Sequence, residues 1–182
     1  MKNFAIPTKE QVSAGNQAIF ENLEKGLGFV PNLYATFAYS DTALGNYITF
    51  QNAKSSLRGK EREAINLVVS QVNDCRYCQS AHTALGKMNG YTNEQIIDLR
   101  KGHAPFDAKI DALVKLAKDI TINHGRPSAQ LVDNFFAAGY NEGNLVDVIL
   151  VIGDKIISNY LNNITNTPID FPVAVPLETV EA

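Results

Sequence analysis

The chain has 182 residues, 45% of them hydrophobic, and a formal net charge of −3. That is enough to bury a substantial core unaided, and it sets the expectation of one domain over residues 1–182. Its charges are scattered rather than gathered into a basic stripe, which excludes a phosphate-tracking nucleic-acid surface.

The opening MKNFAIPTKEQVSAGN lacks the apolar core of a secretory signal, so a cytoplasmic protein is expected. Thr8 opens a capping box with Gln11, and Val12, Ile19 and Leu23 share a helical face, which predicts a helix over 9–25 stopped by Gly26. Pro31 suits the first turn of a short helix to 37, and Ser40 or Asp41 can cap another bearing Leu44, Tyr47, Ile48 and Phe50. A helix starting near 57–60 carries Ile65, Val68, Val69 and Val72. Asn73-Asp74 ends it and can cap the next, which starts at Cys75 and runs to Gly90. Thr92 with Gln95 repeats the capping box before a short helix to about 99, and 102–105 reads as a turn. The segment 107–123 places Ile110, Leu113, Val114, Leu116 and Ala117 at helical spacing before Gly125. Helices over 128–138 and 143–164 follow, and the tail after Pro168 is extended and acidic. The apolar run 145–152 stops at Gly153-Asp154-Lys155, far below the roughly 20 residues that span a bilayer. It reads as a buried stretch or a subunit contact, with no membrane segment. No stretch alternates apolar and polar residues between turn signals, so the expected fold class is all-α.

The chemistry is concentrated in Cys75-Arg76-Tyr77-Cys78, which holds both cysteines of the chain. Such a pair would close too small a loop to be an effective staple, so redox chemistry or metal binding is the better reading. Zinc would need two further ligands, and His103 and His124 are isolated; both histidines read as structural, and no metal or cofactor is expected. At about 100° per residue, Cys75, Cys78 and His82 fall within about 60° of one another on a helix, so two sulfurs and an imidazole share a face. A free thiol near pKa 8.5 must drop by about two units to be mostly thiolate at neutral pH, roughly 3 kcal/mol. A helix N-terminus supplies about 0.3–1 kcal/mol, so His82 is needed as well, oriented by a carboxylate from the preceding helix: Glu63, with Glu61 as the fallback. Two residues between the cysteines leave their Cα atoms about 5–6 Å apart, within disulfide range, so a sulfenic acid on one could be condensed by the other. Phe50, Leu67 and Leu85 are candidates to line a pocket, with core packing the alternative role for each.

Glu63, eleven residues, then Cys75-x-x-Cys78-x-x-x-His82 resembles the signature of the AhpD-like alkylhydroperoxidase branch of the carboxymuconolactone decarboxylase family. The closing TNTPIDFP also looks like the ends of peroxidase-related members. The resemblance implies a helical fold assembled as homotrimers or hexamers. It assigns Cys78 as the peroxidatic residue, Cys75 as proton donor and resolving partner, and Glu63 and His82 as the relay that deprotonates Cys78. It further implies a hydroperoxide substrate and a lipoylated or thioredoxin-like reductant. One departure is Tyr77, where the best-studied members have a second histidine between the cysteines. The decarboxylase branch lacks the cysteine pair, which argues against that activity. The alternatives are a CxxC disulfide reductase or redox sensor without efficient peroxide turnover, and a non-catalytic binding protein.

Overall fold

The computed structural model describes residues 4–177, and every regular element among them is helical. The expected helix over 9–25 is two elements. Gln11 Oε1 accepts from the Thr8 amide at 2.9 Å, but this box closes only a 3-10 turn, Lys9–Gln11. The chain leaves that turn extended at Val12 and is recapped by Ser13, which begins α1 (Ala14–Leu27). Gly26 has open space around it and the helix runs through it; the left-handed residue that ends α1 is Gly28, φ +83°. Pro31 is the N-cap of α2 (Asn32–Phe37) rather than a first-turn residue. The Asn32 amide donates to Asp170 Oδ2 at 2.6 Å, so the C-terminal tail supplies the anion that caps α2. In α3 (Ala43–Gln51) the first amide is met by Ser40 Oγ at 3.3 Å.

The core is built around α4 (Gly59–Val72), in which residues 64 to 70 are all buried. That stretch is buried on every side because α5 (Arg76–Met88), α6 (Asn93–Lys101), α7 (Ala108–Ile122) and α9 (Glu142–Thr165) all pack on the helix. Leu67, Leu113, Leu116, Val148 and, from α8 (Ala129–Ala137), Phe135 join in one cluster. A second cluster gathers Phe20, Leu33, Leu44, Tyr47 and Tyr77 around both cysteines.

The break between α4 and α5 (Arg76–Met88) differs from the sequence expectation. Asn73-Asp74 ends α4 but does not cap α5. The Cys75 amide donates to Ser70 O at 3.0 Å and the Asp74 amide to Gln71 O at 3.1 Å, a Schellman closure with Asp74 at φ +48°. Cys75 is thereby the first extended residue and becomes the N-cap itself.

The long helix α9 has two faces. Val148, Val151, Ile152, Lys155, Ser158, Asn159 and Asn162 are buried, whereas Val146, Ile149, Leu150, Ile157, Tyr160 and Ile164 are exposed. Beyond its left-handed cap, Asn166, the tail runs extended over the start of α5. Thr167 meets Thr36, Phe171 packs edge-on against Tyr77, the Ala174 amide donates to Ser80 Oγ, and Arg100 donates to Val175 O. The acidic residues Glu178 and Glu181 of that tail lie outside the described residues. No single helix among the described residues is long and apolar enough to cross a membrane.

Candidate active site

Three helices bring the site together. From α5 come Cys75, Cys78 and His82, one turn apart on the face turned to the interior, exposed by 0%, 3% and 7%. The Cys75 sulfur accepts from the Cys78 amide at 3.3 Å, so it caps the helix with the same atom that would do redox chemistry. Both cysteines are free thiols.

From α4 comes Glu63, whose Oε2 lies 2.8 Å from His82 Nδ1 while Asn66 Nδ2 donates to Oε1 at 3.0 Å. Glu61, the fallback, is engaged elsewhere: it accepts from the Arg58 amide and from the Tyr140 hydroxyl, which makes it a capping residue of α4. Since a carboxylate only accepts, Nδ1 carries the proton and Nε2 presents its lone pair.

From α9 comes a group that sequence reading missed. Lys155, 3% exposed, places Nζ 3.1 Å from His82 Nε2 and 3.4 Å from Asp154 Oδ2. Ser158 and Asn159, one turn further along the same face, are buried with it; Ser158 Oγ donates to Lys155 O at 3.1 Å and Asn159 Nδ2 to Ser70 Oγ at 3.4 Å.

The electrostatics separate the two thiols. Cys78 is held below the ordinary thiol range, first by the hydrogen bond from Cys75, against the penalty of burial, and then by Lys155, Asn159 and Ser158. Cys75 is pushed up by the same bond to Cys78 and by burial, so it keeps its proton. Burial works against the Lys155 ammonium, but Tyr47, Asp154 and Cys78 outweigh it and raise its pKa. Burial likewise pushes the Glu63 carboxyl up, and its pairing with His82, followed by Lys155 and Asn66, brings it below its usual range.

A group whose folded pKa is depressed stabilises above its unfolded value and loses that contribution as pH falls through the folded one. Glu63→Gln should therefore cost about 1–3 kcal/mol at neutral pH. Below about pH 4.3, the unfolded value for glutamate, its stability should converge on that of the wild type. Urea unfolding across that range measures both; parallel curves would show that Glu63 contributes no ionisation-linked stability.

Cys78, His82, Glu63 and Lys155 line a cavity of about 530 Å³. The remaining wall is largely apolar, with Phe29, Leu33, Tyr34, Tyr77, Leu85 and Phe171. Leu85 is thus a cavity residue, Leu67 is fully buried core, and Phe50 borders a neighbouring cavity of about 310 Å³. Tyr77, the departure from the pattern it resembles, accepts from the Leu33 amide at 3.2 Å and packs on Phe171. Burial pushes its phenol well up, so it stays neutral. His103 pairs with Asp98 and His124 occupies a left-handed turn after α7, both outside the site.

Solved structures share this arrangement of helices. A peroxidase-related protein of Silicibacter sp. TM1040 superposes with a TM-score of 0.81 at 24% identity, over 91% of this chain and 90% of its own. A peroxidase-related protein of Ralstonia eutropha JMP134, described as an alkylhydroperoxidase AhpD core, gives 0.83 at 17% identity over 92% of each chain. The debrominase Bmp8 gives 0.71 at 16% identity, over 86% of this chain and 87% of its own. At these identities the likeness is one of fold, and the fold is AhpD-like. The sequence model of the carboxymuconolactone decarboxylase family matches residues 36–119, the span that holds Glu63, Cys75, Cys78 and His82.

Proposed function

We propose that this protein is a thiol-dependent peroxidase of the alkylhydroperoxidase type, acting on organic hydroperoxides. The observation that carries the reading is the division of labour between the two thiols: Cys78, depressed and lining a cavity, beside Cys75, which keeps its proton.

The Cys78 thiolate attacks the distal peroxide oxygen; an S–O bond forms, the O–O bond breaks, and the departing alkoxide takes up a proton to leave as alcohol. Cys75 then condenses with the sulfenic acid, forming the disulfide and releasing water. A dithiol donor returns two electrons and two protons to restore both thiols. Glu63 and His82, hydrogen-bonded to each other, line the same cavity as Cys78 and set its polar surroundings. A cavity of about 530 Å³ is far larger than hydrogen peroxide requires, and its apolar wall suits an organic group.

Burial of both sulfurs favours this reading over the disulfide-exchange or sensor alternative, because a protein disulfide must reach the attacking sulfur. The same burial favours a slender dithiol arm, such as a lipoyl group, over a protein surface as reductant. The exposed apolar stripe of α9 from Val146 to Ile164 supports self-association, as trimer or hexamer.

The test is consumption of cumene hydroperoxide and hydrogen peroxide by the reduced protein under dithiothreitol, with mass spectrometry of the cysteines. Turnover favouring the organic peroxide, with a Cys75–Cys78 disulfide as intermediate, is expected. A disulfide that forms without turnover would replace this reading with the exchange or sensor one.

A further inference from the structure

The imidazole expected to deprotonate Cys78 has no free nitrogen with which to do so. Nδ1–H of His82 is given to Glu63 at 2.8 Å, and Nε2 faces Lys155 Nζ at 3.1 Å. A neutral imidazole in that tautomer is an acceptor at Nε2, and an ammonium is the donor that matches it. To act as base toward the sulfur directly, His82 would first have to lose that partner.

Lys155 stands where its charge is hardest to hold. It is 3% exposed on a helix face shared with Val148, Val151 and Ile152, and a lone ammonium there would incur a large desolvation penalty. The groups that face it from each packed element are Asp154 on its own helix, Tyr47 from α3, Tyr34 from α2, Glu63 from α4, and Cys78 and His82 from α5. Asp154 and Glu63 supply negative charge on one side, and the third anion available to the cluster is a Cys78 thiolate. Ser158 and Asn159, in the turn after Lys155, act on Cys78 in the same direction as the ammonium. The polar face of α9 is therefore assembled around Cys78, although α9 lies outside the family-matched residues 36–119.

We propose that Lys155 is the counter-ion of the Cys78 thiolate, and that Glu63 and His82 are positioning residues that act through it. In this arrangement Glu63 fixes the tautomer, His82 Nε2 orients the ammonium, and the ammonium stabilises the thiolate. The inference rests on Cys78 being the attacking thiol of the proposed function, but not on peroxide being its substrate.

The test reads the thiolate without any peroxide. Alkylation of Cys78 and Cys75 by iodoacetamide is followed by peptide mass spectrometry across pH for wild type, Lys155→Met, Lys155→Arg and His82→Gln. Lys155→Met should move the Cys78 midpoint up by at least about one unit, a tenfold slowing below it. Lys155→Arg should restore most of the loss, and His82→Gln should move the midpoint by clearly less than Lys155→Met. An unmoved midpoint in Lys155→Met overturns the proposal, as does a His82→Gln shift equal to or larger than that of Lys155→Met. If far-ultraviolet circular dichroism shows that Lys155→Met does not fold, His82→Gln decides alone: a shift of a unit or more means that His82 is the direct base. Preferential alkylation of Cys75 in the wild type would instead overturn the assignment of Cys78, and with it the reading on which the inference rests.

Discussion

Replacing Cys78 with serine should abolish peroxide consumption, with a fall of at least about 10³-fold to the background set by the external thiol. The hydroxyl has no accessible anion at neutral pH and its oxygen cannot be oxidised to a sulfenate equivalent. Cys75 cannot take over, because it is fully buried and burial alone still favours its protonated form. The fold should survive, because serine is nearly isosteric with cysteine. Circular dichroism and a melting curve close to wild type would confirm that chemistry, rather than structure, was lost. Turnover that persisted in Cys78→Ser would remove the peroxidase reading altogether.

Much of this molecule is legible locally. The boxes Thr92–Gln95 and the Asp107 and Ser128 caps stand where their residue types announce them, because a cap is decided within four residues. Thr8–Gln11 shows the limit of that logic, since a second cap only five residues on, at Ser13, competes for the same helix and wins. The choice between Glu63 and Glu61 illustrates another limit. They differ by about 200° around the helix, and both faces of α4 are buried, so periodicity cannot say which carboxylate meets the histidine. The resemblance to a known signature chose Glu63, and the 2.8 Å contact with His82 agrees with that choice.

Lys155 was missed for a more instructive reason. In the sequence Gly153-Asp154-Lys155 closes an apolar run, yet position 155 lies seven residues after Val148, so the lysine falls on the apolar stripe itself. A cation on a core face was the available signal. Its meaning, however, depends on a contact spanning 73 residues, between α9 and α5. The tail presents the same difficulty: Asp170 caps a helix 138 residues away, and no local pattern links the two.

Cys75→Ser should leave the first turnover within a few-fold of wild type while collapsing the steady state. Serine is among the preferred N-caps, so the start of α5 is retained. Its hydroxyl can also donate to the Cys78 thiolate in place of the Cys75 thiol, which keeps much of the depression on Cys78. What disappears is the second sulfur. A well-oriented intramolecular thiol acts at an effective concentration of about 10⁵ M or more, against millimolar external dithiol. Cys78, only 3% exposed, also restricts that external thiol. Resolution of the sulfenic acid should therefore slow by at least about 10³-fold, leaving Cys78 exposed to further peroxide and driving it to the sulfinic acid. Stopped-flow measurement of the first turnover, steady-state assay, and mass spectrometry for one or two added oxygens on Cys78 separate these phases. Steady-state rates equal to wild type would mean that the external thiol reaches the sulfenate directly, and would reduce Cys75 to a helix cap whose sulfur only donates a proton.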